Sequence, residues 1–409
     1  MPKPLLFADN IQFWFEIVRA FGASSYGGSE FGEVLATAGR IRSGDYDSWY
    51  REWDATGRRI ATEAGKQLAS GHRISARDGF LRASTYHRAS EFFLHGNPAD
   101  RRIMSAYRQS VDCYKACAKL FDPPIEPVEI PYEHTTLPGY LHRVDNSGRK
   151  RPLLIMHTGF DGSAEEMHVD GARAAVDRGY NVLAFDGPGQ FGPLRRERLV
   201  FRPDWEVPVA RVVDFALKLS EVNPAKIALL GASLGGYLAP RAAAFEKRIA
   251  ALIANDGVYD FGATNLGPIP AAQRPAAEIA LRAKEAPEFD RRLEATISQS
   301  PTAAWAIMHG MFATGTPTPR AYIAATLAYN LREGIAEKIV CPTLVCEAEG
   351  DIFFKGQPQE LYDHLTCPKT LIRFSESEGA GAHCQVGAAR LAFARMFDWL
   401  DQTFGRNEA

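Results

Sequence analysis

Long apolar runs are missing from this chain. None of its 409 residues lies in a stretch approaching the roughly 18 consecutive apolar residues of a membrane-spanning helix, so a membrane-embedded protein is not expected. The opening stretch, MPKPLLFADNIQFWFEIVRAF, lacks a basic region followed by a continuous apolar core and a small-residue cleavage site, which points to a cytoplasmic protein. An excess of charge of one sign is missing too. Lys and Arg number 47 against 49 Asp and Glu, a net −2, with no long basic block. The electrostatic footprint of a nucleic-acid or membrane-surface binder is therefore absent, and the expected partner is a small molecule or another subunit. Cysteine is scarce and scattered: Cys113, Cys117, Cys341, Cys346, Cys367 and Cys384 form no CxxC pair and no Cys/His cluster with zinc spacing. Reduced thiols, without a metal site, are the reading.

What the chain does contain is periodic. Up to residue 125 the segments SWYREWDATGRRIATEAGKQLASG, ARDGFLRASTYHRASEFFLHG and ADRRIMSAYRQSVDCYKACAKLF repeat apolar residues at helical spacing. The pattern changes at VEIPYEHTTLPGYLHRV, where a short loop containing Gly139 suggests a hairpin. Short, nearly apolar runs follow at 152–159, 181–187, 226–233, 250–257, 342–351 and 369–375, separated by helical stretches. Strands buried on both faces read this way, and the helices supply the crossovers of a mostly parallel sheet. Between AALIANDGVYDF and PTLVCEAEGD a long helix-like interval, including SPTAAWAIMHGMFATG, reads as a cap inserted into the sheet domain. The expected division is a helical N-terminal domain (1–125), a catalytic domain (126–260 and 338–409) and a cap (261–337).

The strongest motif is Gly231-Ala232-Ser233-Leu234-Gly235, followed by Gly236. It stands between the strand-like KIALL and the helix-like YLAPRAAAF, where a sharp turn exposes a serine hydroxyl and glycines make room for it. Such a hydroxyl is a poor nucleophile without a base and a group orienting that base. Asp351 ends the run PTLVCEAEGD, with Glu347 and Glu349 as rivals earlier in the same run; His383 lies in the glycine-rich loop after the last strand. The backbone N–H of Leu234, next to the serine, and of Phe160, in the loop His157-Thr158-Gly159-Phe160-Asp161, are the candidate oxyanion donors. Asp161 or Ser163 alternatively caps the helix that follows. DGPGQFG (186–192) matches GxGxxG, but PLRRERLVFRP follows it with no clear amphipathic helix, so dinucleotide binding is not the reading.

GASLGG, EGD and GAH in this strand order together resemble the α/β-hydrolase superfamily over roughly residues 126–405. FDGPGQFG, RPDWEVPVARVVDFAL and the N-terminal GDYDSWYREWDATGRRI and RASTYHRASEFF narrow the resemblance to the group of 2,6-dihydroxypseudooxynicotine hydrolase and the polyketide-shortening hydrolases. The resemblance implies an α/β-hydrolase fold, a Ser233, Asp351 and His383 triad, a homodimer, and a site for a small-molecule substrate that uses no cofactor. It also implies hydrolysis of a carbon–carbon bond beside a ketone, against a plain carboxylesterase or amidase using the same residues, or a silent binding scaffold. Asp161 falls where that group carries an acidic residue and is a candidate substrate contact, with Tyr86, Trp305, Met308 and Met311 as further pocket candidates.

Overall fold

The computed structural model describes residues 3–267 and 269–406. An eight-stranded sheet runs in the order β1-β2-β4-β3-β5-β6-β7-β8, with β1 Glu126–Tyr132, β2 Thr135–His142, β3 Arg151–His157, β4 Asn181–Phe185, β5 Val222–Ala232, β6 Ala251–Asn255, β7 Thr343–Ala348 and β8 Lys369–Phe374. β2 runs antiparallel to both β1 and β4; from β4 to β8 every pairing is parallel. The chain therefore adopts the α/β-hydrolase fold. Chain order turns outward on either side of β3, to β4 on one flank and β5 on the other, and the crevice beyond such a switch is where open α/β sheets bind ligands.

Burial on both faces explains the apolar runs. Alternate residues of β3 divide between two cores: Leu153 and Ile155 meet the helices Glu206–Ala216 and Gly235–Phe245, whereas Leu154 and Met156 meet Ala172–Asp177 and Ala389–Thr403. The hairpin is present, but its turn lies at Glu133 and His134, where Glu133 takes φ +46°. Gly139 instead sits inside β2. A Cβ there would lie 2.7 Å from Ala184 O, so this glycine serves the close approach of β2 to β4 rather than a turn.

Helices occupy the N-terminal region: Ile11–Gly22, Tyr46–Ala69, Arg73–Ser90 and Arg101–Ala118, the first, second and fourth capped by Asn10, Asp45 and Asp100 side chains. Their core is aromatic, with Phe13, Trp49, Trp53 and Phe93 buried together. The interval between β6 and β7 folds into helices that include Pro301–Thr314 and Pro319–Thr326. Trp305 of the first joins the N-terminal core, stacking on Phe92 at 4.8 Å and donating from Nε1 to Phe92 O at 3.2 Å. Among the described residues no helix is long and apolar enough to cross a membrane.

Candidate active site

Ser233 follows β5 and precedes the helix Gly235–Phe245, and its backbone takes φ +62°, a left-handed conformation a serine rarely adopts. Crowding around the turn explains the glycines. A Cβ on Gly231 would overlap Gly235 O, one on Gly235 would stand 2.8 Å from Thr158 O, and one on Gly236 would overlap Asp256 O. The Ser233 N–H is taken by Asn255 O, which ties the turn to the end of β6.

The loops beyond β5, β7 and β8 bring Ser233, Asp351 and His383 together. His383 Nε2 lies 2.9 Å from Ser233 Oγ, and its Nδ1 lies 3.0 Å from Asp351 Oδ2. The other Asp351 oxygen accepts the N–H groups of Phe353 at 2.7 Å and Phe354 at 3.2 Å. Burial would raise the Asp351 carboxyl, but the His383 charge and these bonds outweigh it and hold it down to about 2. Glu347 and Glu349 are engaged elsewhere, the one with Arg373 and the other with the Glu376 N–H. Phe353, Phe354 and Phe15 enclose the imidazole, their ring centroids 4.9, 5.4 and 6.1 Å away.

Asp256, at the end of β6, is a site residue the sequence reading missed. Fully buried, its Oδ2 lies 3.0 Å from the same His383 Nδ1 that faces Asp351. It also accepts the Cys384 N–H at 2.7 Å and the Gln385 amide at 3.1 Å. Its signal was available: ANDG closes a buried parallel strand just as AEGD does after β7. Asp256, His383 and Cys384 are also the described residues whose ligand atoms cluster closely enough to hold a metal ion, but the carboxylate and imidazole of that set already bond to each other, to Ser233 and to Asp351.

The loop after β3 lies against the serine turn, since a Cβ on Gly159 would overlap Leu234 N. Gln190 fixes its direction by donating to Thr158 O at 2.7 Å and Gly159 O at 3.3 Å. In a trans peptide the N–H points opposite to the C=O, so the Phe160 N–H faces away from Gln190. The GxGxxG stretch thus supports the loop after β3. The helix that opens there, Phe191–Arg196, is short and buried nearly all round rather than amphipathic, and the rings of Trp205 and Phe201 cover Gly187 and Gly189.

The Phe160 carbonyl is held from the other side by a buried polar chain. His309 Nε2 donates to Phe160 O at 2.8 Å, His309 Nδ1 meets His95 Nδ1 at 2.8 Å, and His95 Nε2 meets Glu91 at 2.7 Å, with Arg195 on the other Glu91 oxygen. Burial, then His95, pushes His309 down to about 3, so its ring is neutral; with Nε2 donating, Nδ1 accepts the proton of His95. This chain joins the N-terminal helices, the helices between β6 and β7, and the loop after β3.

A cavity of about 240 Å³ opens at Ser233 and His383. Its walls come from three regions: Phe15 and Arg19 of the N-terminal helices, Phe160 and Asp161 of the loop after β3, and Trp305 and Tyr322 of the cap. Asp161 reaches the cavity, but Arg19 and Arg88 occupy its carboxylate at 2.8 and 3.0 Å. Burial opposes its ionisation, and the two guanidiniums overcome this and hold it well below the usual carboxylate range. The alternative cap is Ser163, which forms a reciprocal pair with Glu166: Glu166 N–H to Ser163 Oγ at 3.3 Å, Ser163 N–H to Glu166 at 3.1 Å. Tyr86 and Met308 are not in the cavity wall. Tyr86 is buried in the N-terminal core with its hydroxyl on Glu33, and Met308 points from its helix to Gly96. Met311 packs within the cap instead.

This serine turn on a mostly parallel sheet is an α/β-hydrolase arrangement, and the sequence model of the alpha/beta hydrolase family matches residues 153–384. The chain belongs to that family. Among its relatives it is similar to hydrolase LUC6 of Fusarium sp, 36% identical over 96% of both chains, and to 20-hydroxy-prefusarin hydrolase FUS2 of Gibberella moniliformis, 36% identical with the same coverage. In fold it is similar to the 2,6-dihydroxy-pseudo-oxynicotine hydrolase, with TM-score 0.74 at 22% identity over 95% of this chain and 97% of that one.

Proposed function

We propose that this hydrolase cleaves a carbon–carbon bond next to a ketone, in a β-diketone, polyketide or acylated electron-rich ring, through an acyl-serine. The observation that carries the reading is the continuous hydrogen-bonded line from Ser233 Oγ through His383 to Asp351, opening onto a cavity enclosed by N-terminal, core and cap residues. Ser233 Oγ attacks the ketone carbon as His383 Nε2 takes its proton, and Asp351 stabilises the imidazolium. The N–H groups of Phe160 and Leu234 receive the tetrahedral oxyanion. When the carbon–carbon bond breaks, its electron pair passes to the departing carbon, which leaves as an enolate or ring carbanion and takes the proton from His383. Water, deprotonated by the same imidazole, then releases the acid and restores Ser233.

A carbon leaving group must be protonated inside the site, and the phenylalanines around His383 support this by shielding that proton from bulk water. The relative named for 20-hydroxy-prefusarin is consistent with a small, functionalised organic substrate. The test is a paired assay of β-diketones and acylphenols beside p-nitrophenyl esters. Acid released from a ketone, lost in Ser233→Ala, supports carbon–carbon cleavage; turnover of the esters with no acid from any ketone identifies a carboxylesterase instead.

A further inference from the structure

We propose that Asp256 is a second positioning acid for His383, sharing its Nδ1 with Asp351 and able to orient the imidazole when Asp351 is neutralised. The inference rests on the reading of Ser233 and His383 as nucleophile and base. It starts from geometry: two carboxylate oxygens, from the ends of two adjacent parallel strands, each stand 3.0 Å from one imidazole nitrogen. One N–H cannot serve two full hydrogen bonds, and two buried carboxylates this close do not both remain charged without cost.

The surroundings distinguish the two acids. Asp351 has the Phe353 and Phe354 N–H groups on its far oxygen and ionises readily. Asp256 is more deeply placed, and burial followed by the Asp351 charge raises its carboxyl to about 6. The titratable groups facing it are Asp351, His383, Cys384 and, from β7, Cys346. Burial disfavours a charged His383, but the acids overcome this and push its pKa well above the usual histidine range. With both carboxylates ionised the imidazole would hold its proton too tightly to accept one from Ser233. While Asp256 holds a proton, shared toward Asp351, a single negative charge faces Nδ1 and Nε2 is free to act as base.

The shared proton makes the two acids interchangeable in part. When Asp351 becomes Asn, the charge that, after burial, raised the Asp256 carboxyl is gone; Asp256 ionises more readily and takes over Nδ1. The structure already holds it there, through the Cys384 N–H and the Gln385 amide. A Ser-His-Asp site with one acid loses about 10⁴-fold in rate when that acid is made amide. Here Asp351→Asn should lose far less.

The test is the second-order rate at which an alkyl fluorophosphonate modifies Ser233, read by intact mass in the full-length wild type, Asp351→Asn, Asp256→Asn and the double variant across pH. The expected result is a loss of about 10–100-fold in Asp351→Asn and a further loss of about 100-fold or more in the double variant, because the second acid is then gone. In Asp256→Asn the acid limb of the rate profile should move to lower pH by about one unit or more, since the second negative charge that Asp256 places near the imidazolium whenever it ionises has been removed. A purely structural Asp256 would give the same fold-loss in both backgrounds with no pH shift. That result, or Asp351→Asn falling at once to the level of the double variant, overturns the proposal. Absence of a Ser233 adduct in the wild type overturns the nucleophile reading itself. Urea unfolding of each variant separates misfolding from loss of the acid, and the pH shift is read within Asp256→Asn alone.

Discussion

Gly236 has no room for a side chain, because a Cβ there overlaps the carbonyl oxygen of Asp256. Gly236→Ala should therefore push the end of β6 away from the serine turn, costing about 1–3 kcal/mol of stability and most of the activity. Gly65, on the exposed side of the helix Tyr46–Ala69, meets nothing within 4 Å, and Gly65→Ala should instead gain about 0.5–1 kcal/mol. Urea denaturation of the pair, with esterase rates, checks both signs. The same contrast shows what sequence carries at this scale. The convergence of Ser233, Asp351 and His383 was legible because each lies in the loop after a strand of the parallel sheet, in the chain order serine, aspartate, histidine. Asp256 has the same strand-end signature and was passed over because one acid suffices for the pattern; that two acids meet one nitrogen is a property of packing between β6 and β7. Tyr86 and Met308 were misplaced for a related reason: an aromatic or thioether side chain says that it will be buried, not against what.

Between elements, the polar chain from Glu91 through His95 and His309 to the Phe160 carbonyl is a buried link that crosses all three regions. Removing the His309 donor frees the loop that carries the Phe160 N–H. His309→Ala is expected to lower kcat by about 10–100-fold with little change in KM, because in the proposed mechanism the interaction lost acts on the oxyanion rather than on bound substrate. His309→Gln keeps a donor in nearly the same place and should recover part of that loss; equal kcat in the two variants would disconnect the chain from the loop. Charge is distributed the same way: Arg88, almost wholly buried, pairs with both Asp161 and Glu166 beneath the cavity. Arg88→Ala leaves those carboxylates short of a partner and should cost about 3–5 kcal/mol in chemical denaturation. Helices and strands themselves were readable from their periods, yet the hairpin turn was not, since Gly139 looks like a turn residue and is instead the thin point at which β2 meets β4.

Across the whole molecule, buried histidines couple folding to pH. His142, at the end of β2, is pushed down to about 3, by burial first and then by Arg173. Its folded-state pKa lies below the unfolded value, so the unfolded chain binds a proton that the native state refuses. This contribution is absent above the unfolded pKa near 6.5 and grows as pH falls toward 3. It destabilises by up to about 1.4 kcal/mol per pH unit over that interval. His142→Phe should flatten the acid side of the stability profile relative to wild type, measured by urea unfolding at pH 7, 6 and 5. An unchanged difference between the two proteins across that range contradicts the assignment. At the other extreme of the structure's free energy stands the backbone of Ser233. Its left-handed φ is one that an L-residue holds at a cost of roughly 1 kcal/mol and glycine holds freely. The chain thus carries, at the residue proposed as its nucleophile, a standing debit against its own stability. Ser233→Gly and Ser233→Ala both abolish attack, but the glycine protein should outlast the alanine one in urea by about that amount. A fold selected for endurance alone would have placed glycine there.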